Sequence, residues 1–401
     1  MLSASSKLRV LYLLADRGHD LNLDQGYKVH VWQTIENLKK RNHQVFLLTI
    51  NQDRNLRDFQ NYKTLPHRYL PILHHFFPYT GLINSSRIFF NILHFHRKFH
   101  FNLIHERYGL YSLGGIWAAE VLKLPLILEV NAPLIDEKIL LGYPLKGAQK
   151  VIAELTTRFV FRKCNLILTV SRILKKQLMR KWDIPESKIR VIPNATDREF
   201  FNLNGKFTNG DKFIIGYVGT LQPWFGVENL LYSLPVVLKK IPQAELHIVG
   251  DGLQRPLLKD LAKRLGIDSH IKFFGYVSFK NIKNYLETFD IAVAPYRPIV
   301  TGFYGSSLKI FEYMAAGKPI VASQIGQIGE ILQHKYTALM VEPGDTEELA
   351  QAIIKLAQNS GLRKFLGQNA RKLARKEYTW DKYAEKLENM YYTVLKSHAQ
   401  N

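Results

Sequence analysis

The sequence predicts an α/β protein made of two doubly wound parallel sheets that face each other across a cleft. Three observations carry this. Short apolar runs alternate with amphipathic stretches of helical period, the pattern of a parallel sheet covered by helices. The alternation stops once, at the polar, glycine-bearing segment NLNGKFTNGDK (202–212), and then restarts. The chain has 401 residues, a length that suggests two domains or three.

Residues 8–14 (LRVLYLL) form a near-continuous apolar run, as a strand buried on both faces requires. A helix at 29–40 and a strand at 45–50 follow. Strands at 102–106 and 126–130 flank a helix at 109–122. A helix at 148–164, a strand at 166–170, a helix at 173–181 and a short strand at 188–192 close the first half. After the linker come strands at 213–218, 245–249, 271–274 and 291–294, separated by helices at 227–239, 254–265 and 280–288. A strand at 320–322, a helix at 328–333, a strand at 338–341 and a helix at 346–358 follow. The last helices, from about 362 to 396, are basic and aromatic.

The stretch YGSSLKIFEYMAAGKPIVAS (304–323) holds one lysine and one glutamate among apolar residues. Lys309, Glu312 and Tyr313 are three and four apart and share one side of a helix. Gly305–Ser307 opens that helix, with a serine as N-cap, and Gly317 with Lys318-Pro319 closes it. A helix start with free amides and a lysine in its first turns suits an anion such as phosphate. An ordinary buried helix with a satisfied Lys–Glu ion pair is the alternative. Glycines follow successive strands: Gly219, Gly250 and Gly252, Gly275, then Gly302 and Gly305. They would line one rim of one sheet, the edge where ligands of such sheets bind; tight turns alone are the plainer account.

Composition narrows the function. Apolar residues make up 46% of the chain, so a large core is available. The single cysteine, Cys164, excludes a disulfide framework and a cysteine-based zinc site, and fits a reducing compartment. No run of about 18 apolar residues occurs, so no transmembrane helix is expected. The apolar run at 10–15 reads as a first strand and not as a signal peptide. The net charge is +21. Residues 1–200 hold 30 Lys and Arg against 16 Asp and Glu; residues 201–401 hold 25 against 18. So basic a surface favours an anionic partner: a membrane leaflet, a nucleic acid or a phosphorylated substrate.

Six segments in order, IIGYVGTLQPWFGVENLL (214–231), LHIVGDG (246–252), IKFFGYVS (271–278), FDIAVAPY (289–296), SSLKIFEYMAAGKPIVAS (306–323) and GEILQHKYTALMVEPGDTEELAQAI (329–353), resemble the family 4 glycosyltransferases of the GT-B fold. In the first half, QGYKVHVWQTIENLKKRNHQV (25–45), LILEVNAPL (126–134), LTVSRILKKQL (168–178) and IRVIPNATD (189–197) match more loosely. The resemblance implies two Rossmann-like domains. Residues 1–200 would bind the acceptor, 201–378 the donor, and a C-terminal helix at 379–401 would pack back on the first domain. It implies a retaining transferase that uses a nucleoside diphosphate sugar, UDP- or GDP-linked, and needs no metal or other cofactor. Glu312 would bind the ribose hydroxyls and Lys309 would lie near the phosphates. Leu308 and its neighbours would supply backbone amides. Gly219 and Thr220 would form the loop beneath the phosphates, with Gly252 on the same rim, Gly26 on the facing loop and the backbone of Val277 near the base.

Departures from the family pattern shape the remaining expectations. Tyr304 stands where an earlier glutamate is common, and Thr220 and Phe225 where an arginine and a lysine often stand. Glu129, Asn131 and Pro133 replace a usual acceptor-side histidine. Phosphate charge therefore rests on Lys309, with Lys28 or Arg172 as helpers. Glu129 or Asn131 would hold the acceptor; a buried unpaired carboxylate is costly, so Glu129 is either paired or faces the cleft, and the cleft is the expectation. Glu106 is a similar candidate. His30 faces the cleft or packs its helix. No Asp-x-Asp metal motif occurs.

Two further stretches bear on the acceptor. The segment 71–101 interleaves aromatics with His, Arg and Lys. Read as a helix, it groups Ile88, Phe89, Ile92, Leu93, Phe95, His96 and Phe99, a face for an anionic membrane interface or for the core. Residues 162–181 add a basic helix. The expected acceptor is lipid-linked, a glycolipid or a polysaccharide, and the expected place is cytoplasmic, peripheral on the inner face of the cytoplasmic membrane. A sugar-nucleotide epimerase and a basic membrane- or nucleic-acid-binding protein are the alternatives. The absence of a recognised reading motif speaks against nucleic acid.

Overall fold

The computed structural model describes residues 7–15, 26–49, 63–65, 80–140, 142–203, 212–298 and 303–400. Gly302, residues 71–79 of the aromatic–basic segment and most of the linker lie outside the described residues. The chain divides into two compact units, Met1–Pro193 with Asp381–Asn401, and Asn194–Trp380.

The first unit contains β1 (Arg9–Leu14), α1 (Gly26–Lys40), β2 (Gln44–Thr49), β3 (Lys63–Leu65), α2 (Thr80–Phe99), β4 (Leu103–Arg107), α3 (Gly114–Leu122), β5 (Leu126–Val130), α4 (Leu134–Leu140), α5 (Gly147–Lys163), β6 (Leu166–Thr169), α6 (Arg172–Trp182) and β7 (Ile189–Val191). The strands form one seven-stranded parallel sheet in the order β3-β2-β1-β4-β5-β6-β7. The inner strands β4 and β5 are buried at every position, although β4 carries His105, Glu106 and Arg107 and β5 carries Glu129. The helix expected at 109–122 starts only at Gly114. There a Cβ would meet the Ser85 carbonyl oxygen at 2.4 Å, so α3 packs tightly on α2.

The second unit contains β8 (Phe213–Val218), α7 (Val227–Lys240), β9 (Ala244–Val249), α8 (Arg255–Arg264), β10 (Ile271–Gly275), α9 (Ile282–Thr288), β11 (Ile291–Ala294), α10 (Leu308–Ala315), β12 (Ile320–Ser323), α11 (Gly326–Ile331), β13 (Leu339–Val341), α12 (Thr346–Gln358) and α13 (Ser360–Glu377). Its six parallel strands run β10-β9-β8-β11-β12-β13. One face of the sheet is covered by a core that includes Leu230, Leu234 and Ile353, the other by Ile310, Met314, Ala370 and Ala374. Phe200, Phe201 and Leu203 sit in the second of these cores, so this unit begins before residue 201. The last helix, α14 (Trp380–Gln400), lies almost wholly in the first unit.

A buried polar network fixes α14 to the first sheet. Glu129 of β5 is 1% exposed. Its carboxylate accepts from Tyr12 Oη at 2.8 Å, Arg107 Nη1 at 2.9 Å and His105 Nε2 at 3.0 Å, and from Asn131 Nδ2. Burial raises this carboxyl, but His30, Arg107 and His105 outweigh it and hold it well below the usual carboxylate range. On its other nitrogen, Nδ1, His105 accepts from Tyr391 Oη of α14 at 2.6 Å. Arg107 donates to His30 Nδ1 at 3.2 Å, which leaves Nε2–H facing Tyr383 Oη of α14 at 3.1 Å. Burial lowers His30 to about 4 and keeps it neutral, so the helix-packing reading of His30 holds.

The expectation that Glu129 faces a cleft and holds an acceptor is therefore corrected: its oxygens are spent inside the unit. Glu106 is likewise enclosed. Ser112 Oγ donates to its Oε1 at 2.9 Å, burial pushes it up to about 8, and Oε2 lies where a Gly115 Cβ would sit. The α2 face offered for a membrane is also corrected. Ile88 and Ile92 are fully buried, and Phe99 lies on Phe46 with ring centroids 4.7 Å apart. In α6, Leu174, Leu178 and Trp182 point inward and Arg172, Lys176, Arg180 and Lys181 stay exposed.

Glu129→Ala is expected to strand Arg107 and His105 in the core and to destabilise the protein by about 3–5 kcal/mol. Urea unfolding measures this; a loss below ~1 kcal/mol would return Glu129 to a purely functional role.

Candidate nucleotide-sugar site

The site sits at the carboxyl edge of β8 and β9, against the start of α10. Gly219 follows β8 directly, with φ +143°. A Cβ there would lie 2.5 Å from Lys309 Nζ, so only glycine lets the ammonium reach the loop. Gly250, after β9, has φ +142°, and a Cβ on it would meet the Gly219 carbonyl oxygen at 1.9 Å. Gly252 packs next to Leu221, and Thr220 is exposed. Backbone therefore comes as close to this rim as it can, leaving room for a ligand.

Lys309 is 6% exposed. Its Nζ donates to Tyr217 Oη at 2.9 Å, and Tyr217 Oη donates to the Thr220 carbonyl at 2.9 Å. The ammonium lies 4.2 Å from the ring centroids of both Tyr217 and Phe225, and 5.6 Å from that of Tyr296. These rings stabilise a cation through their faces. Burial nevertheless pushes Lys309 down to about 7, with Glu312 opposing. Glu312, one turn on and 4% exposed, is pushed up to about 7 by burial, with Lys309 opposing. Among the described residues, no donor reaches the Glu312 carboxylate and Lys309 makes no ion pair with it. The satisfied ion pair of the plainer reading is thus not formed.

The start of α10 is also open. Ser307 stands at the N-cap position but its side chain does not cap; its Oγ accepts from Tyr296 Oη at 2.7 Å instead. Ser306 is anchored by Asn194, whose backbone N–H donates to Ser306 Oγ at 2.9 Å and whose Nδ2 donates to the Ser306 carbonyl at 2.7 Å. The expected serine cap is therefore replaced by two anchors that hold the helix start without filling it. A cation, uncapped amides and a partnerless carboxylate one turn away match an anion joined to a hydroxyl-bearing group.

Of the residues expected from sequence, the structure brings together Gly219, Thr220, Leu308, Lys309 and Glu312, with Gly252 on the same rim. Val277 follows β10, half-buried on the core. Gly26 is the exposed first residue of α1; Lys28 and Arg172 belong with it to the first unit. Asn131 is half-buried, and its Oδ1 has no donor among the described residues. The aromatic enclosure of Lys309 was missed. Its signal was an aromatic near the end of two adjacent strands, Tyr217 on β8 and Tyr296 after β11.

Residues 212–359 match the model of glycosyl transferases group 1, and residues 25–200 match that of glycosyltransferase family 4. The chain belongs to the family 4 glycosyltransferases of the GT-B type. It is 25% identical to an uncharacterized glycosyltransferase of Methanocaldococcus jannaschii, over 91% of this chain and 94% of that one. It is also 25% identical to a GDP-mannose-dependent alpha-(1-6)-phosphatidylinositol monomannoside mannosyltransferase of Mycobacterium tuberculosis, over 51% of this chain and 55% of that one. Among solved structures, HepE of Anabaena in complex with UDP has the same fold, with a TM-score of 0.74 at 17% identity, covering 96% of this chain and 100% of that one.

The pair sets a pH dependence. Folded Lys309 loses its proton above about 7, whereas the unfolded lysine keeps it to 10.5; between these the unfolded state binds more protons, so stability rises with pH. Glu312 acts at lower pH: the folded carboxyl keeps its proton to about 7 and the unfolded one loses it above 4.5, so stability falls across that window. Lys309→Met is expected to reduce the rise above neutrality, leaving the part contributed by Lys318, which burial pushes down to about 8. Urea unfolding at pH values on either side of about 8 checks this; a variant that tracks the wild type would contradict it.

Proposed function

We propose that the protein moves a sugar from a nucleoside diphosphate sugar, UDP- or GDP-linked, to a lipid-linked, glycolipid or polysaccharide acceptor of the cell envelope, with retention of anomeric configuration. The observation that carries this is the buried Lys309–Glu312 pair, which is unpaired in the protein and set at an uncapped helix start. The amides around Leu308 and the Lys309 ammonium take the diphosphate, above the Gly219–Thr220 loop. Glu312 takes the ribose hydroxyls, Gly252 lies on the same rim, the Val277 backbone faces the base and Gly26 serves the facing loop.

In the reaction the bond from the anomeric carbon to the diphosphate oxygen breaks. The acceptor oxygen bonds to that carbon, and its proton leaves with the diphosphate. Negative charge grows on the leaving group, where Lys309 and the amides meet it; one such donor is worth roughly 10²–10³ in rate. The reading needs no metal, because these groups supply the charge. With Glu129 committed to the core, Asn131 Oδ1 is the acceptor-side atom left open at the end of β5.

Two similar proteins support a nucleotide-linked donor and a lipid acceptor: one is a GDP-mannose-dependent phosphatidylinositol monomannoside mannosyltransferase, and the other, HepE, is known in complex with UDP. The net charge of +21 supports a peripheral place on an anionic inner leaflet and a cytoplasmic location. Among the described residues no helix is long and apolar enough to cross a membrane.

Thermal-shift screening against UDP, GDP, ADP and TDP tests the donor. One nucleotide is expected to stabilise the folded protein. Glu312→Ala is expected to remove that shift while leaving the protein folded; a retained shift would overturn the ribose role.

A further inference from the structure

We propose that the outer face of α4 and α5 is the surface that seats this protein on an anionic bilayer. This deepens the proposed function and rests on its peripheral-membrane part.

Among the described residues, fifteen large apolar side chains are exposed, and six of them fall between 139 and 159. Elsewhere they stand singly or in pairs. Val151, Leu155 and Phe159, spaced four apart, make a ridge along one side of α5, and are 54%, 62% and 37% exposed. On the neighbouring α4 and in the turn after it, Ile139, Leu140 and Tyr143 are 60%, 43% and 75% exposed. The opposite side of α5, with Ala153, Thr157, Val160 and Phe161, is buried, so the helix is apolar on both faces and only one has a protein partner. An unpartnered apolar patch of this kind marks an interaction site.

Charge identifies the partner. Residues 134–163 hold six Lys and Arg against three Asp and Glu. Two of those acids are neutralised within the unit, Glu154 by Lys150 at 3.9 Å and Asp136 by Lys181. Arg158 and Arg162 are exposed along the stripe next to the ridge, whereas the Lys163 ammonium, 5.9 Å from the Phe159 ring, is paired with Glu120 at 2.9 Å. An apolar ridge flanked by cations is what an interfacial helix presents to anionic lipid. A second copy fits poorly, because a two-fold contact would set this basic stripe against itself. The crevice beneath α4, lined by Pro133, Ile135, Phe161 and Trp182, has a volume of about 10 Å³, room for one water and not for an acyl chain. The ridge itself is therefore the contact. The helix α4 follows directly on the carboxyl end of β5, the edge where ligands of doubly wound sheets bind, so a lipid acceptor would arrive from the side on which this surface begins.

Co-sedimentation of the full chain with phosphatidylcholine vesicles, and with equal mixtures of phosphatidylcholine and phosphatidylglycerol, tests this at low salt. The wild type is expected to pellet with the anionic vesicles. The triple variant Val151→Ser, Leu155→Ser, Phe159→Ser is expected to lose at least about tenfold in vesicle affinity while keeping its nucleotide thermal shift and melting temperature. The pair Arg158→Ser, Arg162→Ser is expected to remove the preference for anionic over neutral vesicles. Wild-type pelleting by the triple variant, or no pelleting of the wild type, would overturn the proposal. So would a triple variant that turns a dimer into a monomer and pellets unchanged, which would make the ridge a contact between copies. Lost vesicle binding with an intact nucleotide shift leaves the donor reading standing, and the reverse result sinks only that reading.

Discussion

The second unit is organised around an ammonium and a carboxylate that are both out of water and not joined to each other. Lys309 has three aromatic rings and one phenol oxygen about it; Glu312 has no donor among the described residues. Each group alone costs stability when charged, which is why burial draws both toward 7 from opposite sides. A fold keeps such a pair when the charges are completed from outside. The anchoring of Ser306 and Ser307 away from the helix start, and the two left-handed glycines on the rim, are consequences of leaving that space open.

The first unit shows the opposite solution with the same kinds of side chain. Glu129 is as buried as Glu312, yet it accepts from four donors and stays ionised. Nothing is left for a ligand, and the network ties β1, β4, β5, α1 and α14 into one body. The contrast separates a carboxylate that holds the fold from one that awaits a partner. Burial alone does not distinguish them; the count of donors does.

Most of the fold was legible because strands covered on both faces leave apolar runs such as those at β1 and β11. Lys309 and Glu312 were legible because they are neighbours on one short helix. The role of Glu129 was not, since Tyr12 lies far from it in sequence and only the sheet order brings them together, while Tyr391 reaches the same network through His105 from α14. The direction of the α2 face was hidden for a different reason. A helix on a sheet and a helix on a bilayer have the same apolar period. In α5 the apolar residues occupy both sides, so no single stripe stood out until the core had claimed one of them.

The central claim is that Lys309 is largely neutral in the free protein above neutral pH and is recharged by a diphosphate. Calorimetric titration with the stabilising nucleoside diphosphate, near pH 8 and in buffers of different ionisation enthalpy, measures this directly. The account predicts uptake of about one proton per nucleotide bound, lost in Lys309→Met. Binding with no proton uptake would contradict it.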